Sequence, residues 1–147
     1  MSASKVYLVR HAEKASQTDP NPNLSEEGRA RALALSKLLK HKNIGLIYAT
    51  KYKRSIETAS PVANLKKVPI KIYTPDTAAT IIKIAFKQKK DVLIVGHSNT
   101  LLPLLQEVGL HPSMSSIADD QYSLLFVVYQ RGGKLVLEER SYPKPEL

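Results

Sequence analysis

Short apolar runs rich in β-branched residues alternate with stretches of helical periodicity, and this alternation constrains the fold more than any other feature of the chain. Val6–Val9, Gly45–Ala49, Val68–Tyr73 and Asp91–Val95 read as strands, the first and last apolar enough to be covered on both faces. Ala15–Asn23 is polar, holds Pro20 and Pro22, and reads as a loop of the kind that borders a pocket. Ser25 then stands as an N-cap, with Glu26 and Glu27 in the first turn, where the helix dipole favours anions. The helix it opens runs to about Lys40, with Ala32, Leu35, Ser36 and Leu39 toward the sheet. A second helix follows Arg54, with Ile56, Ala59, Ser60 and Ala63 predicted inward and Pro61 expected to kink or shorten it. Thr74-Pro75-Asp76 is a turn, with Asp76 placed as the N-cap of a third helix that buries Ala78, Ile81, Ile82 and Ala85. A fourth helix turns Leu101, Leu104, Leu105 and Val108 inward and tolerates Pro103 in its first turn. His111–Asp120 is irregular, and Gln121–Tyr129 and Lys134–Tyr142 are strands joined through Gly132-Gly133, a hairpin signal.

The expected architecture is α/β: three layers, a mostly parallel central sheet with helices on both faces, and a C-terminal antiparallel hairpin. At 147 residues the chain reads as a single domain, 1–147, with a sizeable core. No apolar run approaches the ~18 residues of a membrane span, and the start lacks a signal-peptide core, so the expected location is cytoplasmic. The absence of Cys rules out disulfides and thiolate chemistry. A net charge of +9 suits anionic partners: phosphorylated substrates, nucleic acid or a membrane surface. The positive residues are scattered. The one cluster, Lys87, Lys89 and Lys90, lacks neighbouring aromatics for base stacking and reads as a solvated helix end, so neither nucleic acid nor a membrane is expected as partner.

The chemistry-bearing residues stand at strand ends. Val9 leads into Arg10-His11, and Val95 into Gly96-His97. In a parallel sheet both ends lie on one edge, where α/β proteins place their sites, so His11 and His97 can meet. Arg54, at the start of the helix after the second strand, can join them. Arg10, His11, Arg54 and His97 together would repel one another without an anion between them. A phosphoryl group supplies that anion, since each arginine can grip two oxygens through its planar fork and backbone N–H groups at the following helix starts add donors. Taken alone, Arg10-His11 could equally be a solvated loop pair; the repetition at Gly96-His97 argues for a site.

Four stretches in order carry a resemblance: Val9-Arg10-His11-Ala12-Glu13-Lys14; Leu24-Ser25-Glu26-Glu27-Gly28; Tyr48 through Arg54 into Glu57-Thr58-Ala59; and Val95 through Thr100. The chain resembles the histidine phosphatase superfamily, also called phosphoglycerate-mutase-like, over nearly its whole length. Where family members commonly carry Arg-His-Gly, this chain has Arg10-His11-Ala12, which is more similar to the small phosphatase branch than to the mutases. It also lacks the long insertions of a cofactor-dependent mutase.

The resemblance implies that His11 is the nucleophile, passing through a phosphohistidine, and that Arg10, Arg54 and His97 hold the phosphoryl oxygens. It implies no cofactor and no metal. His41 and His111 fall in peripheral turns and read as surface residues. In the family a carboxylate shortly after the third strand often protonates the leaving group. Asp76 fits that place, with a plain N-cap as its other reading. Glu13 is the second candidate, and phosphohistidine phosphatases can lack an acid altogether. The expected function is a metal-independent phosphatase acting on a phosphorylated small molecule or a phosphoprotein. The alternatives are a non-catalytic phosphate-binding or interaction module and a nucleic-acid binder.

Overall fold

A computed structural model describes residues 4–142, so both ends of the expected 1–147 domain lie outside the described residues. The chain runs β1 (Lys5–Arg10), α1 (Glu26–Leu38), β2 (Ile44–Ala49), α2 (Lys53–Lys66), β3 (Ile70–Ile72), α3 (Ala78–Gln88), β4 (Asp91–Gly96), α4 (Leu101–Glu107), β5 (Leu124–Arg131) and β6 (Lys134–Ser141). A single 3-10 turn, Pro75–Thr77, precedes α3. The strands form one six-stranded sheet in the order β3-β2-β4-β1-β5-β6. The first four pair in parallel, β5 joins β1 antiparallel, and β6 closes the hairpin at the edge. Gly132 and Gly133 both take positive φ, 58° and 80°, as a tight two-residue hairpin turn requires.

The sheet is covered on both faces because its strands alternate between two apolar sets. Val6, Leu8, Val92, Ile94 and Phe126 face α3 and α4, whereas Tyr7, Val9, Leu93, Val95 and Val127 face α1 and α2. α1 begins where predicted: the Ser25 hydroxyl accepts from the Gly28 N–H at 3.0 Å, and Ala32, Leu35, Ser36 and Leu39 are all buried. Gly28 is required for packing, since a Cβ there would drive into the backbone carbonyl of Glu13. α3 likewise buries Ala78, Ile81, Ile82 and Ala85. Its fully covered Ile82 alone contributes about 1.5–3 kcal/mol of apolar burial.

α2 departs from expectation in two ways. Pro61 does not shorten it; the helix runs on to Lys66, carried by the burial of Val62 beyond the proline, and only the N–H that would meet the Glu57 carbonyl is missing. Its inner face is Ser55, Thr58, Ala59 and Val62, whereas the predicted Ile56, Ser60 and Ala63 are half-buried. The helix is rotated because Ser55 and Thr58 hydrogen-bond into the sheet edge, so hydroxyls occupy positions that apolar periodicity assigns to aliphatics. At α4, Leu102 is buried in place of Val108, which caps the helix half-buried. Asp76 lies inside the 3-10 turn and caps nothing; α3 starts after Thr77. Strand β3 is shorter than predicted, and β5 starts later, at Leu124. His41, His111 and the Lys87, Lys89, Lys90 cluster are exposed, as expected. No helix among the described residues is long and apolar enough to cross a membrane.

Candidate active site

The parallel pairing of β1 with β4 sets Arg10 opposite Gly96 and brings the residues that follow them together. The His11 N–H donates to the Gly96 carbonyl at 2.9 Å, extending the ladder by one residue. The rings of His11 and His97 then stand 5.2 Å apart at 57°. Both are more than nine-tenths buried, His11 at 4% and His97 at 9% exposure.

The tautomer of His11 follows from one contact. Its Nδ1 lies 2.8 Å from the Ala12 carbonyl, which can only accept, so the proton sits on Nδ1 and the lone pair on Nε2. Ala12 is itself fixed. Its N–H donates to Thr58 Oγ1 at 2.9 Å, the Thr58 hydroxyl donates to the Arg54 carbonyl at 2.7 Å, and its methyl packs with Leu24 and Ala32. Thr58 therefore ties the His11 segment to the first turn of α2. Burial pushes the His11 imidazole down to about 3; the Ala12 bond opposes this, and the positive fields of Arg10 and Arg54 reinforce it. His97 falls to about 4 for the same reasons, burial first and then Arg54 and Arg10. Both rings are neutral at pH 7.

His97 Nε2 meets Thr50 Oγ1 at 2.7 Å, and Thr50 is held through its N–H on Ser55 Oγ. Nδ1 of His97 has no protein partner among the described residues.

Arg10 and Arg54 are placed differently from one another. Arg10 is buried, and its Nη1 donates to three backbone carbonyls: Ala118 at 3.0 Å, Asp119 at 2.9 Å and Gln121 at 2.8 Å. One end of its fork is thus already spent, which sequence reading did not foresee. Its Nε is buried without a partner, and so is Nε of Arg54. Two guanidinium Nε donors without a partner thus stand beside two neutral histidines, a set of groups suited to an anion. The helix-start donors expected to help are partly committed: the Lys53 N–H donates to Asn21 Oδ1, and the His97 N–H donates to Thr100 Oγ1.

A profile of the histidine phosphatase superfamily (branch 1) matches residues 6–74, which hold Arg10, His11 and Arg54. Over these residues, just under half of the chain, the sequence is similar to the histidine phosphatase superfamily. His97 and Asp76 lie beyond the matched residues, but the sheet register delivers His97 to the same edge. A search of curated protein sequences finds no match. Among solved structures, the mycobacterial glucosyl-3-phosphoglycerate phosphatase Rv2419c is similar with a TM-score of 0.74 and 11% identity, over 99% of this chain and 100% of that one. The protein histidine phosphatase SixA complexed with tungstate gives a TM-score of 0.74 at 17% identity, over 93% of this chain and 96% of that one. YhfR of Bacillus stearothermophilus gives 0.70 at 20% identity, over 92% and 95%. At these identities the likeness establishes the α/β fold.

Beside His97 and Arg54 opens a cleft of about 390 Å³, walled by Thr50, Lys51, Tyr52, Ile72, Thr74 and Pro75 among others. No carboxylate among the described residues lines it. Asp76 is exposed on the turn that contributes Pro75, at the rim. Glu13 is not free to donate a proton. Burial raises its pKa, but Arg31 outweighs this through hydrogen bonds from Nε and Nη2, so the carboxyl stays ionised below its ordinary range. Sequence reading also missed two tyrosines. The Tyr52 ring lies under Arg54, with Cζ 4.6 Å from its centroid, and edge-on to His97 at 5.5 Å. Tyr122 lies under Arg10 at 4.1 Å and edge-on to His11 at 6.3 Å. No motif marks Tyr122. Tyr52 falls within the stretch ending at Arg54, but as a family landmark without an assigned role.

Proposed function

We propose that this phosphatase transfers the phosphoryl group of a phosphomonoester or a phosphohistidine to Nε2 of His11, and that water then hydrolyses the resulting phosphohistidine. The observation that carries the reading is the Nδ1–H bond of His11 to Ala12, which leaves a neutral ring with a free Nε2 lone pair. Arg10, Arg54 and His97 act as the phosphate-binding groups and stabilise charge on the transferring phosphoryl group, with His97 also taken as catalytic. The open cleft beside them receives the leaving group. The proposal assigns no metal or cofactor, so the rate should be unchanged by EDTA. His11→Ala should abolish turnover with the fold intact by circular dichroism, and rapid quench of the wild type should trap acid-labile phosphate on His11. Full activity in His11→Ala rejects the reading.

Asp76, at the rim, is the proposed proton donor for an alkyl ester. The absence of a carboxylate from the described cleft wall favours a second substrate reading, a phosphohistidine on a protein. A phosphoramidate nitrogen leaves without the help that an alkoxide needs.

A further inference from the structure

The turn before β5 has no part in the fold's strands or helices, yet it aims its backbone at Arg10. The side chains of Ala118, Asp119 and Gln121 are exposed while their carbonyls point inward to Nη1. The turn is closed on itself: the Gln121 N–H donates to the Ala118 carbonyl at 3.0 Å, and Gln121 Oε1 accepts from the Ala118 N–H at 2.8 Å. Buried Ile117 anchors it to the α3–α4 core. The Tyr122 ring then covers the guanidinium face, with Cζ 4.1 Å from the centroid.

We propose that Tyr122 and the 118–121 turn form a positioning clamp that fixes Arg10 with the Nε–Nη2 edge of its guanidinium left unpaired for the phosphoryl group. Nη1 carries two hydrogens and meets three carbonyls, so its capacity is exhausted. Nε and Nη2 make no hydrogen bond among the described residues, and Nε is buried. They are adjacent donors on one side of the planar group, the same side-on pair with which Arg31 grips Glu13 in this protein. The ring of Tyr122 blocks rotation out of that plane and contributes a cation–π attraction strengthened by burial. Arg54 has a tyrosine beneath it but donates to no carbonyl among the described residues, whereas Arg10 is held at one end.

The choice of phosphoryl ligand rests on the proposed activity; the clamp itself does not. In ¹⁵N-arginine NMR, the Nη1 hydrogens of Arg10 should be resolved and slow to exchange positions in the wild type, because rotation about Cζ–Nη1 breaks the carbonyl contacts. Gln121→Ala opens the turn and should average these signals. Tyr122→Leu should weaken orthovanadate binding about tenfold, the scale of a desolvated cation–π contact. Tyr122→Phe, which keeps the ring, should bind as the wild type does. In an Arg10→Ala background Tyr122→Leu should cost nothing further. An equal cost in both backgrounds, or a freely rotating Nη1 in the wild type, overturns the clamp. A wild type that binds no vanadate but keeps a locked Nη1 overturns the ligand assignment and the phosphatase reading, and leaves the clamp standing.

Discussion

His11 and His97 sit at the ends of adjacent parallel strands, with ring centroids 5.2 Å apart, and both rings are neutral at pH 7. Each has one ring nitrogen held by a neighbour, Ala12 for His11 and Thr50 for His97. The other nitrogen of each ring makes no hydrogen bond among the described residues, and the positive charge beside the rings comes from Arg10 and Arg54.

Arg54→Lys tests whether the fork matters beyond the charge. Lysine keeps the cation but loses the planar pair of donors and the stack on Tyr52. Losing a charge-assisted hydrogen bond worth about 1.5–3 kcal/mol should lower kcat/KM by roughly 10- to 100-fold. Steady-state kinetics on p-nitrophenyl phosphate measure this. A lysine variant with wild-type kcat/KM would show that Arg54 contributes only its charge.

The buried histidines make stability depend on pH. Folding lowers the pKa from 6.5 to about 3 for His11 and to about 4 for His97. Between those values and 6.5 the unfolded chain binds protons that the folded chain does not. Stability therefore rises with pH across that window and is lost as pH falls from 6.5. Each histidine adds a slope of about 1.4 kcal/mol per pH unit inside it. Urea midpoints should fall between pH 7 and pH 5, and His97→Asn should flatten the fall. An equally steep fall in the variant would assign it to other groups.

Asp76→Asn separates the substrate classes. Asp76 is exposed and caps no helix, so the substitution should leave thermal stability unchanged. Alkyl phosphate hydrolysis should slow by about 100-fold, the scale of lost acid catalysis, while p-nitrophenyl phosphate and a phosphohistidine peptide are spared. Equal rates for variant and wild type on every substrate would remove Asp76 from the mechanism and favour phosphohistidine. Glu13→Gln is the contrasting case. It strips a buried Arg31 of its partner and should destabilise the fold by about 3–5 kcal/mol, seen as a lowered Tm.

The sequence by itself determined the layers and the edge at which the site is built. β-branched runs marked the strands, apolar spacing gave the inner faces of α1 and α3, and Gly132-Gly133 gave the hairpin. Hydrophobic periodicity reports burial by water exclusion, and strands β1 and β4 and the inner faces of α1 and α3 are buried in that way. Two strands each running into a histidine were enough to predict that His11 and His97 meet. Only the tertiary structure decided what those residues can do. Half of the inner face of α2 is polar and held by hydrogen bonds, at Ser55 and Thr58, so its apolar period misleads. Glu13 is spent on Arg31, and the cage around Arg10 comes from carbonyls 108 to 111 positions away in sequence. A buried polar group is satisfied by whichever partner the fold brings to it, and a backbone carbonyl offers the same chemistry whatever residue carries it.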